Sequence, residues 1–147
     1  MAEMMGFEAD KRINKKYGNI TCYALIGDRS FRFRSKLEHK VAMYLEVIKN
    51  GGWIKDWDYE TTTFRFPDDK WLIDFEVRNN DDSFEYIEAK GMFDARSRRK
   101  LKLVFKYRPD AKITMVFQNK RDMQKARPSA KYCYRFCLLS ELTRGII

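Results

Sequence analysis

At Ser35 the spacing of apolar residues changes, and that change limits the folds open to this chain. Leu37, Val41, Tyr44, Leu45 and Ile48 recur at i, i+4, i+7, i+8 and i+11, the period of one helix face, and Asn50-Gly51-Gly52 closes the run. Beyond it the period falls to two. Trp57–Phe66 is aromatic and β-branched, Pro67-Asp68-Asp69 is a turn, and across Trp71–Val77 the residues Trp71, Ile73, Phe75 and Val77 are predicted to point one way while Leu72, Asp74 and Glu76 point the other. Asn79–Ser83 reads as a hairpin loop that returns as Phe84–Lys90. After Gly91, Asp94 is placed to cap a second helix over Ala95–Arg108, with Leu101, Val104 and Phe105 as its apolar stripe and Pro109 at its end. Lys112–Phe117 predicts another strand, and Tyr132, Phe136 and Leu139 have the spacing of a last helix. Ahead of Ser35, Ile20–Ile26 and the alternating Phe31 and Phe33 suggest a strand pair. The order of helix, three strands, helix, strand and helix predicts an α/β fold, a mixed sheet flanked by helices.

The 147 residues are expected to form one such domain over 20–147, behind a mobile basic arm over 1–19 that carries Lys11-Arg12 and Lys15-Lys16. With 44% hydrophobic residues the chain can bury a core of its own, which excludes disorder over most of its length. No apolar run reaches the roughly 20 residues of a membrane span, and Met1–Asp10 lacks the apolar core of a secretory signal, so no membrane partner and a cytoplasmic location are expected. Cys22, Cys133 and Cys137 form no Cys-x-x-Cys pair and His39 is the lone histidine, a poor basis for structural zinc or a thiol nucleophile. All three cysteines are read as core residues, Cys133 and Cys137 four apart on one helix face.

Chemistry concentrates in the hairpin. Glu88 and Lys90 stand two apart on a strand, so both leave the same face of the sheet, and the short loop brings Asp74 close to Glu88. Two carboxylates that close repel unless a cation joins them, and a hydrated divalent ion such as Mg²⁺ suits two hard oxygen donors in a half-open site. Lys90 beside it could hold a water or neutralise charge on a phosphorane-like transition state. The ordinary alternative is a solvated cross-strand salt bridge. The chain's other Glu-x-Lys, Glu38-His39-Lys40, lies on the helix, where residues two apart diverge. Glu38 itself has two readings, a capping box with Ser35 or a carboxylate aimed at the sheet as a further ligand, and both stay open.

These residues resemble a known superfamily. Phe33-Arg34-Ser35-Lys36-Leu37-Glu38, Trp71-Leu72-Ile73-Asp74-Phe75 and Tyr86-Ile87-Glu88-Ala89-Lys90-Gly91 look like the three motif blocks of the PD-(D/E)XK nucleases. Within them, the first block and the Lys-Gly step are similar to the phage endonuclease I group, resolvases of Holliday junctions, and to small phage nucleases. The likeness spans about Phe31 to Phe136 and departs at Ile73, where the family carries proline. It implies a restriction-endonuclease-like fold and a Mg²⁺-dependent endonuclease of branched DNA, with Mn²⁺ able to substitute. It implies Asp74, Glu88 and the Ala89 carbonyl as metal ligands, Lys90 and Glu38 as catalytic residues, a homodimer, and action in the host cytoplasm if phage-encoded.

Charge agrees with a nucleic-acid partner. The formal net charge is +9, and from Arg96 to Arg108 the chain carries Arg96, Arg98, Arg99, Lys100, Lys102, Lys106 and Arg108 with no acidic residue. A single-sign helix face suits a phosphate track, and Arg34 and Lys36 are expected to join it. Nothing points to base-specific readout. Trp53, Trp57 and Tyr59 could stack on bases, though core roles are commoner. A nicking or linear-DNA endonuclease on the same site, or a nucleic-acid-binding protein without activity, are the other functions the sequence admits.

Overall fold

Ser35 opens the first helix by the local chemistry that the sequence advertises. Its Oγ accepts the Glu38 N–H at 3.1 Å, and helix α1 runs from Lys36 to Asn50 with Leu37, Val41, Ala42, Leu45 and Ile48 buried. The helix stops where Gly51 and Gly52 donate to the Val47 and Lys49 carbonyls, Gly52 at the left-handed φ of 81° that favours glycine. The computed structural model describes residues 8–13 and 20–144, with side chains from residue 20 onward.

Two sheets pack with α1. The smaller is an antiparallel set of β1 (Glu8–Ile13), β2 (Ile20–Ile26) and β3 (Arg29–Phe33). The larger has the order β4-β5-β6-β7-β8, in which β4 (Asp56–Arg65), β5 (Lys70–Arg78) and β6 (Phe84–Lys90) are antiparallel and β7 (Ile113–Phe117) and β8 (Arg135–Leu138) add in parallel. Helix α2 (Ala95–Tyr107) makes the crossover from β6 to β7, and every residue of β7 is buried, as befits a parallel strand covered on both faces. Helix α3 (Lys120–Ala126), the 3-10 helix Arg127–Tyr132 and the short α4 (Leu139–Leu142) complete a mixed α/β domain with a helix-flanked sheet.

Two cores divide the interior. One joins α1 and β2 to Phe75, Val77, Ile87, Ala89, Val116 and Cys137; the other gathers Phe64, Trp71, Ile73, Leu101, Val104, Met115 and Phe117. The four alternating apolar residues Trp71, Ile73, Phe75 and Val77 of β5 therefore do not share one core. Phe75 and Val77 serve the first, Trp71 and Ile73 the second, and Asp74 stands at the division. Beside it β4 carries a bulge: Tyr59 pairs with Phe75 and Thr62 with Ile73, so Glu60 and Thr61 together oppose Asp74. A bulge adds local twist, which turns the strand between its two cores.

Four expectations are corrected. Glu8–Ile13, assigned to the arm, is a strand on β2; the rest of 1–19 lies outside the described residues. Tyr132, Phe136 and Leu139 do not share a helix. They fall on the 3-10 helix, on β8 and on α4, because Phe136 and Cys137 alternate between the two cores with period two. Cys133 and Cys137 accordingly do not stack on one helix face, although both pack in or against a core. Phe105 leaves the apolar stripe of α2 and is 53% exposed, with its ring edge-on to Tyr132.

Candidate active site

The hydrogen-bonded ladder between β5 and β6 pairs Arg78 with Phe84 and runs as far as Phe75 with Ile87. One residue further on, side chains take over from backbone. Glu88 Oε1 accepts the Asp74 N–H at 3.0 Å, and Asp74 Oδ2 accepts the Ala89 N–H at 2.9 Å. Each carboxylate thus satisfies a buried amide just beyond the end of the β5–β6 pairing. The two acids that the sequence brought together are held by the backbone itself.

Each acid keeps a second oxygen, and each meets a cation. Lys90 Nζ lies 3.5 Å from Glu88 Oε2, so the two residues share a face as predicted. Arg34 Nη2 lies 3.3 Å from Asp74 Oδ1 and 2.9 Å from Glu60 Oε2. Arg34, expected on the nucleic-acid surface, has a side chain that is 57% exposed and whose Nη2 meets these carboxylates. Burial disfavours its charge, yet Glu38, Glu60 and Asp74 outweigh that and hold the guanidinium protonated. Lys36 is exposed at the first turn of α1.

Glu38 takes part in the helix cap but does not close the reciprocal capping box. Its N–H donates to the Ser35 cap, but its carboxylate reaches back to the Arg34 N–H at 3.1 Å instead of the Ser35 N–H, and the Tyr59 hydroxyl donates to the same Oε1. It is buried and sits near enough to feel Glu88. Burial raises its pKa, against the pull of Tyr59 and Arg34 toward the charged form. Burial also raises Asp74 well above the aspartate range, reinforced by the charges of Glu88 and Glu38 and opposed by the Ala89 N–H and Arg34. Tyr59 is pushed up by burial and by Glu38, so it stays a hydrogen donor.

Helix α2 starts beside this cluster. Asp94 accepts the Ser97 N–H at 2.9 Å as its cap, and the Lys100 ammonium, lowered by burial and then by Arg96, feels both Glu88 and Lys90. Arg96, Arg98, Arg99 and Lys102 are exposed, and Arg98, Arg99 and Lys102 line a shallow groove of about 390 Å³ with Ala95, Leu103 and Lys106. Of the aromatic candidates, Trp57 is buried and donates Nε1–H to Glu46 at 2.9 Å, Tyr59 belongs to the acidic cluster, and Trp53 is 73% exposed.

Asp74 and Glu88 are the residues that could hold a hard cation, which takes oxygen donors and keeps several waters. Among the described residues no group of three or more histidine, cysteine, aspartate or glutamate side chains is arranged to enclose a metal. Asp74 Oδ1 and Glu88 Oε2 are the oxygens not engaged by backbone amides, and Arg34 and Lys90 stand against them. Glu60 went unremarked in the sequence. No sequence signal marks it, because the bulge lies within β4 and shows only in the pairing with β5, where Glu60 takes a φ of 54°.

No protein-family model matches this chain, and no curated protein matches it. No helix among the described residues is long and apolar enough to cross a membrane.

Proposed function

We propose that this chain is a metal-dependent endodeoxyribonuclease that hydrolyses phosphodiester bonds and acts on branched DNA. The observation that supports it is the Asp74–Glu88 pair at the split between β5 and β6, with Lys90 at 3.5 Å from Glu88 and the basic face of α2 adjoining. Magnesium, or manganese in its stead, held by Asp74, Glu88 and the Ala89 carbonyl, would supply Lewis-acid polarisation of the phosphate and a water of lowered pKa.

The chain's residues do the rest. Asp74 and Glu88 are fixed by backbone N–H groups, so their oxygens are positioned before substrate arrives. Lys90 puts a cation where negative charge builds on the phosphorane-like oxygens. Glu38, held by Tyr59 and the Arg34 amide, adds negative potential behind the pair. Arg96, Arg98, Arg99, Lys100 and Lys102 bind the sugar-phosphate backbone without reading bases. Selectivity then comes from DNA shape, and a homodimer would set two such faces against the two helices of a junction.

The test is cleavage of a four-way junction beside its linear arms, with Mg²⁺ and with EDTA. Metal-dependent paired incisions near the branch point, with the arms cut more slowly, are expected. Equal rates on junction and arms would leave a nicking or linear-DNA endonuclease, and binding without cleavage would leave a non-catalytic DNA-binding protein.

A further inference from the structure

Arg34 occupies a place in the acidic cluster that the proposed chemistry does not use. It contacts two carboxylates through one nitrogen, Nη2, at 2.9 Å from Glu60 and 3.3 Å from Asp74. The two anions differ in setting, since the Asp74 side chain is 2% exposed and that of Glu60 26%. The Arg34 backbone is tied by its N–H to Glu38 at the start of α1, whereas its side chain is 57% exposed. Glu60 is held toward it by the bulge, at a φ of 54° that few non-glycine residues adopt without support from their surroundings. The bulge stands directly opposite Asp74.

Asp74 Oδ1, which Arg34 meets, is the oxygen not given to the Ala89 amide. A divalent cation and a guanidinium drawn to the same oxygen repel, so a divalent ion there weakens the guanidinium contact. We infer that Arg34 is a displaceable counter-cation of the Asp74–Glu88 pair, and that Glu60 is the anchor that retains its guanidinium when a divalent ion takes Asp74. This rests on the reading of that pair as a metal site. Arg34 offsets part of the charge of a buried carboxylate that repels its neighbours, and Glu60 lets it withdraw by a small rotation instead of into solvent. Arg34 and Glu60 are thus positioning residues for the cation and touch no reacting atom.

The experiment is titration with Mn²⁺ by calorimetry, without DNA, on wild type, Arg34→Met, Glu60→Gln, the double variant and Asp74→Asn. Arg34→Met is expected to tighten Mn²⁺ by about ten-fold, and Glu60→Gln to weaken it several-fold by leaving Arg34 wholly on Asp74. The deciding comparison is the double variant. With Arg34 absent, Glu60→Gln should change affinity less than about two-fold, because there is nothing left to anchor. An equal loss in both backgrounds would make Glu60 a nearby charge or a direct ligand and overturn the anchor. Unchanged or weaker affinity in Arg34→Met would overturn the counter-cation. Binding that Asp74→Asn abolishes but that shows no coupling removes this inference alone, while no binding by wild type and Arg34→Met alike removes the metal site and the inference with it.

Discussion

Asp74 and Glu88 complete each other's strands: the Asp74 N–H donates to Glu88 at 3.0 Å, and the Asp74 carboxylate accepts the next amide along from Glu88, that of Ala89, at 2.9 Å. The pair is therefore structural as well as electrostatic. An amide in place of either acid keeps a carbonyl oxygen to accept the same N–H but loses the charge.

That separation gives the first prediction. Asp74→Asn and Glu88→Gln should each abolish Mg²⁺-dependent cleavage while DNA affinity, measured by fluorescence anisotropy, stays within a few-fold or improves, since affinity comes from the Lys and Arg face and carboxylates repel phosphate. Lys90→Ala should lose about two orders of magnitude in rate, the scale of one preorganised charge. Wild-type rates from either amide variant would remove the assignment.

Stability should move in the opposite direction. Burial raises the folded pKa of Asp74, so folding favours its protonated form. Its stabilising contribution is fully present below the ordinary aspartate value of about 4 and is lost as pH rises through the raised folded value, because over that window the unfolded chain has released a proton that the folded chain keeps. Asp74→Asn is thus expected to melt a few degrees above wild type at pH 7, with the gap closing toward pH 4, in thermal scans across that range. A variant less stable than wild type at pH 7 would mean that Arg34 compensates the buried charge in full.

Glu38 can be divided between its two jobs by separate substitutions. Ser35→Ala removes the cap to the Glu38 N–H and should cost about 1 kcal/mol of stability with cleavage retained. Glu38→Gln keeps an acceptor for the Arg34 N–H and the Tyr59 hydroxyl, so its melting temperature should change little while cleavage falls steeply. Loss of stability without loss of cleavage in Glu38→Gln would reduce it to a helix-terminus residue.

What the sequence disclosed follows how local each determinant is. The Ser35 cap, the Asn50-Gly51-Gly52 stop, the Asp94 cap and the shared face of Glu88 and Lys90 are set by residues within a few positions, and all are found in the structure. The Arg34–Glu60 contact was not legible, since it needs a bulge whose position depends on how β4 pairs with β5. For the same reason β8 reads as helix in the sequence: Cys137 is a strand residue because Val116 pairs with it, and the coincidence of Tyr132, Phe136 and Leu139 at helical spacing conceals the alternation.

The last prediction concerns the basic face of α2. Arg98, Lys102 and Lys106 stand at i, i+4 and i+8, a row about 12 Å long on one side of the helix, long enough to meet successive phosphates of one strand. Arg99 lies beside this row, with its Nε 3.6 Å from Asp69 and its side chain 58% exposed. If the row tracks the backbone, each neutralised phosphate releases counterions, and log affinity for duplex should fall with log salt by about 0.9 per contact. Arg98→Gln, Lys102→Gln and Lys106→Gln combined should therefore flatten that slope by about two to three, with the same loss on unrelated sequences. Folding should be spared, since all three side chains are exposed and the buried Leu101 and Val104 are untouched. Binding titrations at three salt concentrations on two duplexes and a four-way junction check this. An unchanged slope would move the DNA surface off α2, whereas a loss confined to one sequence would make these residues readers of bases.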